Sequence, residues 1–485
     1  MNHSEQLIKS VATDLYINGE WLPASDHQRF DIFDPATEQV IASVASASAD
    51  DAIAAVDAAE SASAGWAGTA PRQRAEILHK AYELMHERQS DFATLMSREE
   101  GKTFAEALGE MAYATGYLRW YAEETTHING SFGRAPGGIN NIVVQKHPVG
   151  ICLLITPWNF PAAMAVRKIA PALAAGCTTI LKPASETPLT ALMMASLFEE
   201  AGVPAGVLNV LPSRRSSIIS NTVLSDSRVR KVSFTGSTEV GRLLLSKAAE
   251  KVQNCSMELG GNAPFIVLED ADIDVAIDSA FVAKIRNAGE SCVSANRFFV
   301  HSSVYEEFAS GFTARMAALK VGPGLDDGID VGPLVNASTR DKVKQLVDEA
   351  VSMGATLRTG GKCPPGVGYF YQPTVLDNIP AGADILTTEI FGPVAALVSF
   401  DDVDEMVQSA NDTHLGLAAY VISRNIGTAL SVAERVEAGV VGINRGFISE
   451  PAAPFGGFKQ SGIGREGGDA GIEEFLESKY IAVEW

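Results

Sequence analysis

Ile151-Cys152-Leu153-Leu154-Ile155-Thr156-Pro157-Trp158-Asn159-Phe160-Pro161 opens the part of the chain that decides the fold. Five apolar residues bounded by turn formers read as a strand. Downstream, Ala165–Ala175 reads as a helix ended by Gly176, and Thr178–Leu181 as a second strand. Leu189–Ala201 is a helix closed by Gly202, and Val207–Val210 a third strand. Val229–Phe234 follows as a strand, with a helix from Ser237 to Ala249. Such alternation implies right-handed βαβ units and a parallel sheet. A second set starts at Phe265–Leu268, runs through a helix near 272–288, then Arg297–Val300 and a helix from Val304. The expected class is α/β, with Cys292 in the second unit.

Outside these units, Asp50–Ala64 is rich in Ala, Asp and Ser but carries Ile53 and Val56 after two acids, so a helix is expected rather than a linker. Apolar residues at 77, 78, 81, 84 and 85 mark one face of another helix. Ser131–Val149 contains Pro136-Gly137-Gly138 and then alternating Ile142-Val143-Val144-Gln145, the pattern of a protruding hairpin. Tyr480–Val483 reads as a short strand. Isolated hairpins are marginal in water, so pairing with another subunit is expected.

The chain has 485 residues, 46% hydrophobic and 20% charged. It is too long for one small core, so two or more domains are expected. No apolar run approaches the roughly 18 residues that span a bilayer, and the N-terminus lacks the pattern of a secretory signal. The five cysteines (152, 177, 255, 292 and 363) form neither a disulfide framework nor a CxxC metal pair. Free thiols suit a reducing, cytoplasmic setting, and no metal is expected. A formal net charge of −21 argues against nucleic acid or an anionic membrane as partner. An anionic ligand would need cations placed locally.

Chemistry concentrates in four places. Cys292, in Arg286-Asn287-Ala288-Gly289-Glu290-Ser291-Cys292, is a candidate nucleophile, with Glu258 of Glu258-Leu259-Gly260-Gly261-Asn262 as general base. Asn159, in a loop bracketed by two prolines, can aim an amide donor at an oxyanion; a plain turn is the alternative. Gly236 and Ser237 stand between a strand and a helix, where backbone N–H groups can meet a phosphate. These glycines do not form the GxGxxG fingerprint, and a purely structural turn fits as well. Lys182 follows a strand, where ligands of open α/β sheets bind.

Together with Phe234-Thr235-Gly236-Ser237 and Glu389-Ile390-Phe391-Gly392-Pro393, these motifs make the chain resemble the aldehyde dehydrogenase superfamily over essentially its full length. The resemblance implies a Rossmann-like NAD(P)-binding domain over 1–126 and 147–259 and a catalytic domain over 260–440. A bridging, oligomerisation region would comprise 127–146 and 441–485, with a substrate loop near 444–457, giving a homodimer or homotetramer. It implies that Cys292 attacks the aldehyde carbon, Asn159 holds the oxyanion, and Glu258 activates water against the thioester. The cofactor would lie against Thr156, Pro157, Trp158, Asn159, Lys182, Ala184, Ser185, Gly236, Ser237, Leu259, Glu389 and Phe391. Family members with a glutamate at the place of Ser185 repel a 2′-phosphate. Serine there favours NADP, with NAD accepted more weakly.

Within the superfamily the chain is similar to succinate-semialdehyde dehydrogenases, on Val166-Arg167-Lys168, Ile285-Arg286-Asn287 and Asn444-Arg445-Gly446-Phe447-Ile448-Ser449. That similarity implies that Arg167, Arg286 and Ser449 hold the distal carboxylate of a small anionic aldehyde. Guanidinium groups suit carboxylates; internal ion pairs are the alternative use of both arginines. Ser294 stands where the subfamily often has a second cysteine, so no redox switch of that kind is expected. Arg445 adds a cation beside the substrate loop. Glutarate semialdehyde, sulfolactaldehyde or a broad range of aldehydes remain alternative substrates.

Overall fold

The computed structural model describes residues 3–485. Two largely parallel sheets organise it. The first is built on five parallel strands in the spatial order Leu208–Val210, Thr178–Lys182, Ile151–Ile155, Val229–Thr235 and Asn254–Glu258. Leu15–Ile17 and Gly462–Ile463 flank them as antiparallel neighbours. The first of the five in sequence lies in the middle, so the winding reverses between Ile151–Ile155 and Val229–Thr235. In open α/β sheets the crevice beyond the carboxyl ends at such a reversal is where ligands bind. Thr156 to Asn159 and Gly236 to Ser237 leave the sheet at that place.

The second sheet has six parallel strands, ordered Thr374–Asp377, Val394–Phe400, Ala295–His301, Ala263–Val267, Ala418–Ile422 and Val440–Ile443. Thr356–Thr359 adds an antiparallel edge. Helices Ala49–Ala67, Pro71–Glu87 and Tyr305–Ala317 lie where the apolar patterns place them.

Two helices differ from the sequence expectation in ways that shape the site. The first starts at Pro161, not Ala165. It has no side-chain cap of its own. Glu110 instead accepts from the Ala162 and Ala163 N–H groups at 2.9 and 3.1 Å. Proline suits the first helical position because its missing N–H would be an orphan there, and a remote carboxylate satisfies the next donors. Pro188–Ala201 repeats the device, with Glu99 accepting from Leu189 and Thr190. Both helices end, as predicted, on a left-handed glycine, Gly176 or Gly202.

The helix expected near 272–288 ends at Ile285. Asn287 and Ala288 adopt φ values of 55° and 52°, which an α-helix of L-residues cannot contain. The chain therefore turns sharply just before Cys292.

The hairpin pairs Ser131–Arg134 with Asn141–Pro148. The C-terminal strand is longer than expected, Leu476–Val483, and lies along Asn141–Pro148 from Leu476↔Pro148 to Val483↔Asn141. The hairpin's partner thus comes from the same chain, making a three-stranded sheet with Phe132, Tyr480 and Trp485 exposed. Among the described residues no helix is long and apolar enough to cross a membrane.

Candidate active site

A cavity of about 250 Å³ opens between the carboxyl ends of first-sheet strands and the loops of the second. Pro157, Trp158, Asn159, Gly236, Ser237, Glu258 and Leu259 reach it from the first sheet, and Arg286, Cys292, Glu389 and Phe391 from the second. Arg167 and Ser449 complete the wall. Thirteen of the residues singled out in the sequence thus meet around one space. Thr156, Lys182, Ala184 and Ser185 do not line it; Lys182 ends its strand in the first sheet, and the others follow strand ends there.

Cys292 is half-buried and follows the left-handed turn. Burial pushes its thiol up to about 12; Arg167 and Arg286 oppose this, while Glu389 and Glu258 add to it. The free protein at neutral pH therefore holds a thiol there, not a thiolate. Glu258 ends its strand, and neither carboxyl oxygen has a hydrogen-bond partner among the described residues. Burial raises it well above the ordinary range; Glu466 contributes, with Arg167, Lys168 and Arg465 opposing. A buried carboxyl with no hydrogen-bond partner, facing the cavity, is placed to exchange a proton with a group bound there.

Asn159 donates one amide N–H to the Glu290 carbonyl at 2.9 Å. An amide has a second N–H, and the residue lines the cavity beside Cys292. The pair can stabilise negative charge on an oxygen attached to carbon held by the thiol.

The two arginines differ. Arg167 is buried and pairs through Nε with Glu466 Oε2 at 2.5 Å, with Phe455 stacked 4.6 Å away. Glu466 also holds Lys168. Arg286 forms no ion pair among the described residues. It donates to Ser449 Oγ at 2.8 Å and is surrounded by the rings of Phe447, Phe160 and Tyr113 at 4.7, 4.8 and 5.8 Å. The internal-pair alternative therefore applies to Arg167 and not to Arg286.

On the other side, Trp158 and Phe391 meet edge to face at 5.3 Å. Glu389 Oε1 accepts from Gly261 N–H at 3.0 Å, and burial raises its carboxyl to about 7. A side chain on Gly260 would come within 3.0 Å of that carboxylate. Ser237 caps helix Thr238–Ala249, and burial brings Lys182 down to about 8. Ser185 donates to Glu186 Oε2 at 3.0 Å. Helix start, buried lysine and aromatic pair at a strand-order reversal fit a dinucleotide in chemistry and position.

Sequence reasoning missed Glu466 and Tyr113, which no motif marks, and gave no role to Phe455, which stands in Pro454-Phe455-Gly456-Gly457. Glu466 arrives through a bridge between the Phe455 and Glu466 backbones, formed by a C-terminal segment that pairs with the edge of the first sheet and with Leu415–Gly416.

The fold and its cavity define an α/β nucleotide-linked dehydrogenase. The pattern of the aldehyde dehydrogenase family matches residues 21–481, and the chain belongs to that family. It is 54% identical over 444 residues to a succinate-semialdehyde dehydrogenase of Paenarthrobacter nicotinovorans, covering 92% of this chain and 99% of the relative. It is 46% identical to an NADP-dependent succinate-semialdehyde dehydrogenase of Escherichia coli K12, covering 96% and 97%. A crystal structure of an NADP-dependent E. coli enzyme superposes with a TM-score of 0.97 at 45% identity, covering all of both chains.

Proposed function

We propose that this protein oxidises succinate semialdehyde to succinate with NADP as hydride acceptor. The observation that carries the choice of substrate is Arg286, a cation without a carboxylate partner among the described residues, caged by aromatic rings on the cavity wall. A cation in that position lacks only an anion, and a planar guanidinium takes a carboxylate in two parallel hydrogen bonds. Ser449 orients it. Arg167, already engaged by Glu466, contributes field more than contact. The closeness of two succinate-semialdehyde dehydrogenases, one of them NADP-dependent, supports the same reading.

The residues then divide the work. Cys292 gives its proton to water as its sulfur adds to the aldehyde carbon, and the carbonyl oxygen takes the negative charge. Asn159 Nδ2 and the Cys292 backbone N–H hold that oxygen. When bound, the nicotinamide supplies the acceptor for the hydride that leaves the aldehyde carbon. Glu258 takes a proton from water, and the hydroxide releases the acid and returns the thiol. Trp158, Leu259, Glu389 and Phe391 hold the nicotinamide half. Thr156, Pro157, Lys182, Ala184, Ser185, Gly236 and Ser237 hold the rest. Serine at 185 leaves Lys182 to a 2′-phosphate.

The three-stranded sheet with its exposed aromatic residues is the surface through which we propose that copies pair, as a dimer or tetramer. Its free thiols support a cytoplasmic setting.

The test is steady-state reduction of NADP with succinate semialdehyde and with hexanal. A preference in kcat/KM of about 100-fold or more, about 2.7 kcal/mol, supports the carboxylate clamp. Equal rates would leave only the family assignment standing.

A further inference from the structure

Lys102 lies outside the cavity wall, and its side chain is 1% exposed. Its ammonium donates to Glu110 Oε2 at 2.6 Å and to the backbone carbonyl of Asn159 at 2.7 Å, and it rests 4.4 Å from the centre of the Phe160 ring. The second donor to the same carbonyl is the Asn287 side-chain amide, at 2.9 Å. That amide also reaches Glu100 Oε1 and the Glu290 carbonyl, at 2.8 and 3.2 Å. Glu106 accepts from the Asn287 backbone N–H at 2.6 Å, which holds the residue at its left-handed φ.

One stretch, residues 100–110, therefore grips both halves of the site. Through Lys102 and Glu110 it fixes the Asn159 backbone and the helix that starts two residues later. Through Glu100 and Glu106 it fixes the turn before Cys292. Asn159 and Cys292 come from different sheets, so their spacing depends on such a bridge. A carbonyl has two lone pairs, and both of Asn159's are used. One side-chain N–H is tied to Glu290, so the other is left with a single direction.

We propose that Lys102 is a positioning residue of the reaction: it sets the aim of the Asn159 amide at the oxyanion and touches neither substrate nor cofactor. The inference rests on the role given to Asn159 above. A donor must lie about 3 Å from the developing oxyanion to act, and a misplacement of about 1 Å costs on the order of 100-fold in rate. A lysine that only supported the fold would lower activity whether or not the amide were there.

The experiment is a cycle of Lys102→Met and Asn159→Ala in the full enzyme. It follows kcat, aldehyde KM, and the NADPH dissociation constant by fluorescence. Lys102→Met alone is expected to lower kcat about 100-fold, with aldehyde KM within about threefold and NADPH affinity within about twofold. On top of Asn159→Ala the same change is expected to cost less than about threefold, because residues acting through one interaction are not additive. Equal losses in both backgrounds, or no loss in the wild type, would overturn the proposal. If Lys102→Met does not fold, Asn287→Gly removes the other donor while tolerating φ 55°, and is read by the same two outcomes. A large loss on Asn159→Ala with an additive Lys102 sinks this inference alone. A loss below about tenfold on Asn159→Ala sinks the oxyanion reading and this inference with it.

Discussion

The Arg167 guanidinium meets the Glu466 carboxylate at 2.5 Å, with 1% and 6% of the two side chains exposed. Arg286, on the same cavity, has no such partner among the described residues and leans on Ser449. Two arginines of one chemical type are thus committed differently. Arg286→Ala should raise KM for succinate semialdehyde about 30-fold, the equivalent of about 2 kcal/mol for a charged hydrogen bond, and leave hexanal within about threefold. Arg167→Met should instead lower stability by about 3 kcal/mol, since removing one side of a buried pair strands the other. Thermal melts beside the kinetics separate the two; a stability loss on Arg286→Ala would make it structural too.

The thiol of Cys292, pushed up to about 12 by burial and by nearby Glu389 and Glu258, sets a pH dependence. An acid with a raised pKa keeps its proton across the neutral range, so its thiolate fraction rises tenfold per pH unit. Carboxamidomethylation of the free enzyme by iodoacetamide should accelerate by about that factor for each pH unit, or about 100-fold from pH 7 to 9, without a plateau. A plateau below pH 9 would mean that the free site already stabilises the thiolate.

Glu258 has two unbonded carboxyl oxygens at the cavity. Glu258→Gln keeps the shape and removes the base. The thioester should then form but turn over slowly, giving a burst of about one NADPH per active site followed by a steady rate reduced on the order of 100-fold or more. Loss of the burst together with the steady rate would place Glu258 in the first half of the reaction instead.

The Ser185 hydroxyl donates a hydrogen bond to Glu186, whose carboxylate lies close enough to act on Lys182. An acid therefore remains near the lysine even with serine at 185. Glu186→Gln should raise the preference for NADP over NAD about threefold, and Ser185→Glu should shift it toward NAD by about tenfold or more, from like-charge repulsion of a 2′-phosphate. Ratios of kcat/KM for the two cofactors measure both.

Much of the site was legible because its parts sit at element ends, which turn residues mark. Thr156 to Pro161, Gly236-Ser237 and the stretch to Cys292 each follow a predicted strand or helix. Their glycines and prolines are local signals. The early start of helix Pro161–Ala175 was less legible, because its cap is Glu110, about 50 residues away. The end of Ile273–Ile285 was hidden for a similar reason: Asn287 is held at positive φ by Glu106 and Glu100, which no window around it contains.

Local sequence alone determined the alternation of strands and helices, and with it the α/β class. It also singled out Cys292, Glu258 and Asn159 as candidate nucleophile, base and amide donor, which the fold brings to one cavity. Periodicity and turn chemistry act over a few residues, so the sequence reports them directly. Only the tertiary structure decided which charges are spent. Arg167 and Arg286 look alike in the chain, yet one is neutralised by Glu466, almost 300 residues away, and the other meets no carboxylate among the described residues. A lysine that reads as part of an unremarkable Glu100-Gly101-Lys102 becomes the clamp on Asn159. Ion pairing is set by distance in space and by exclusion of water, and neither is written in the order of residues.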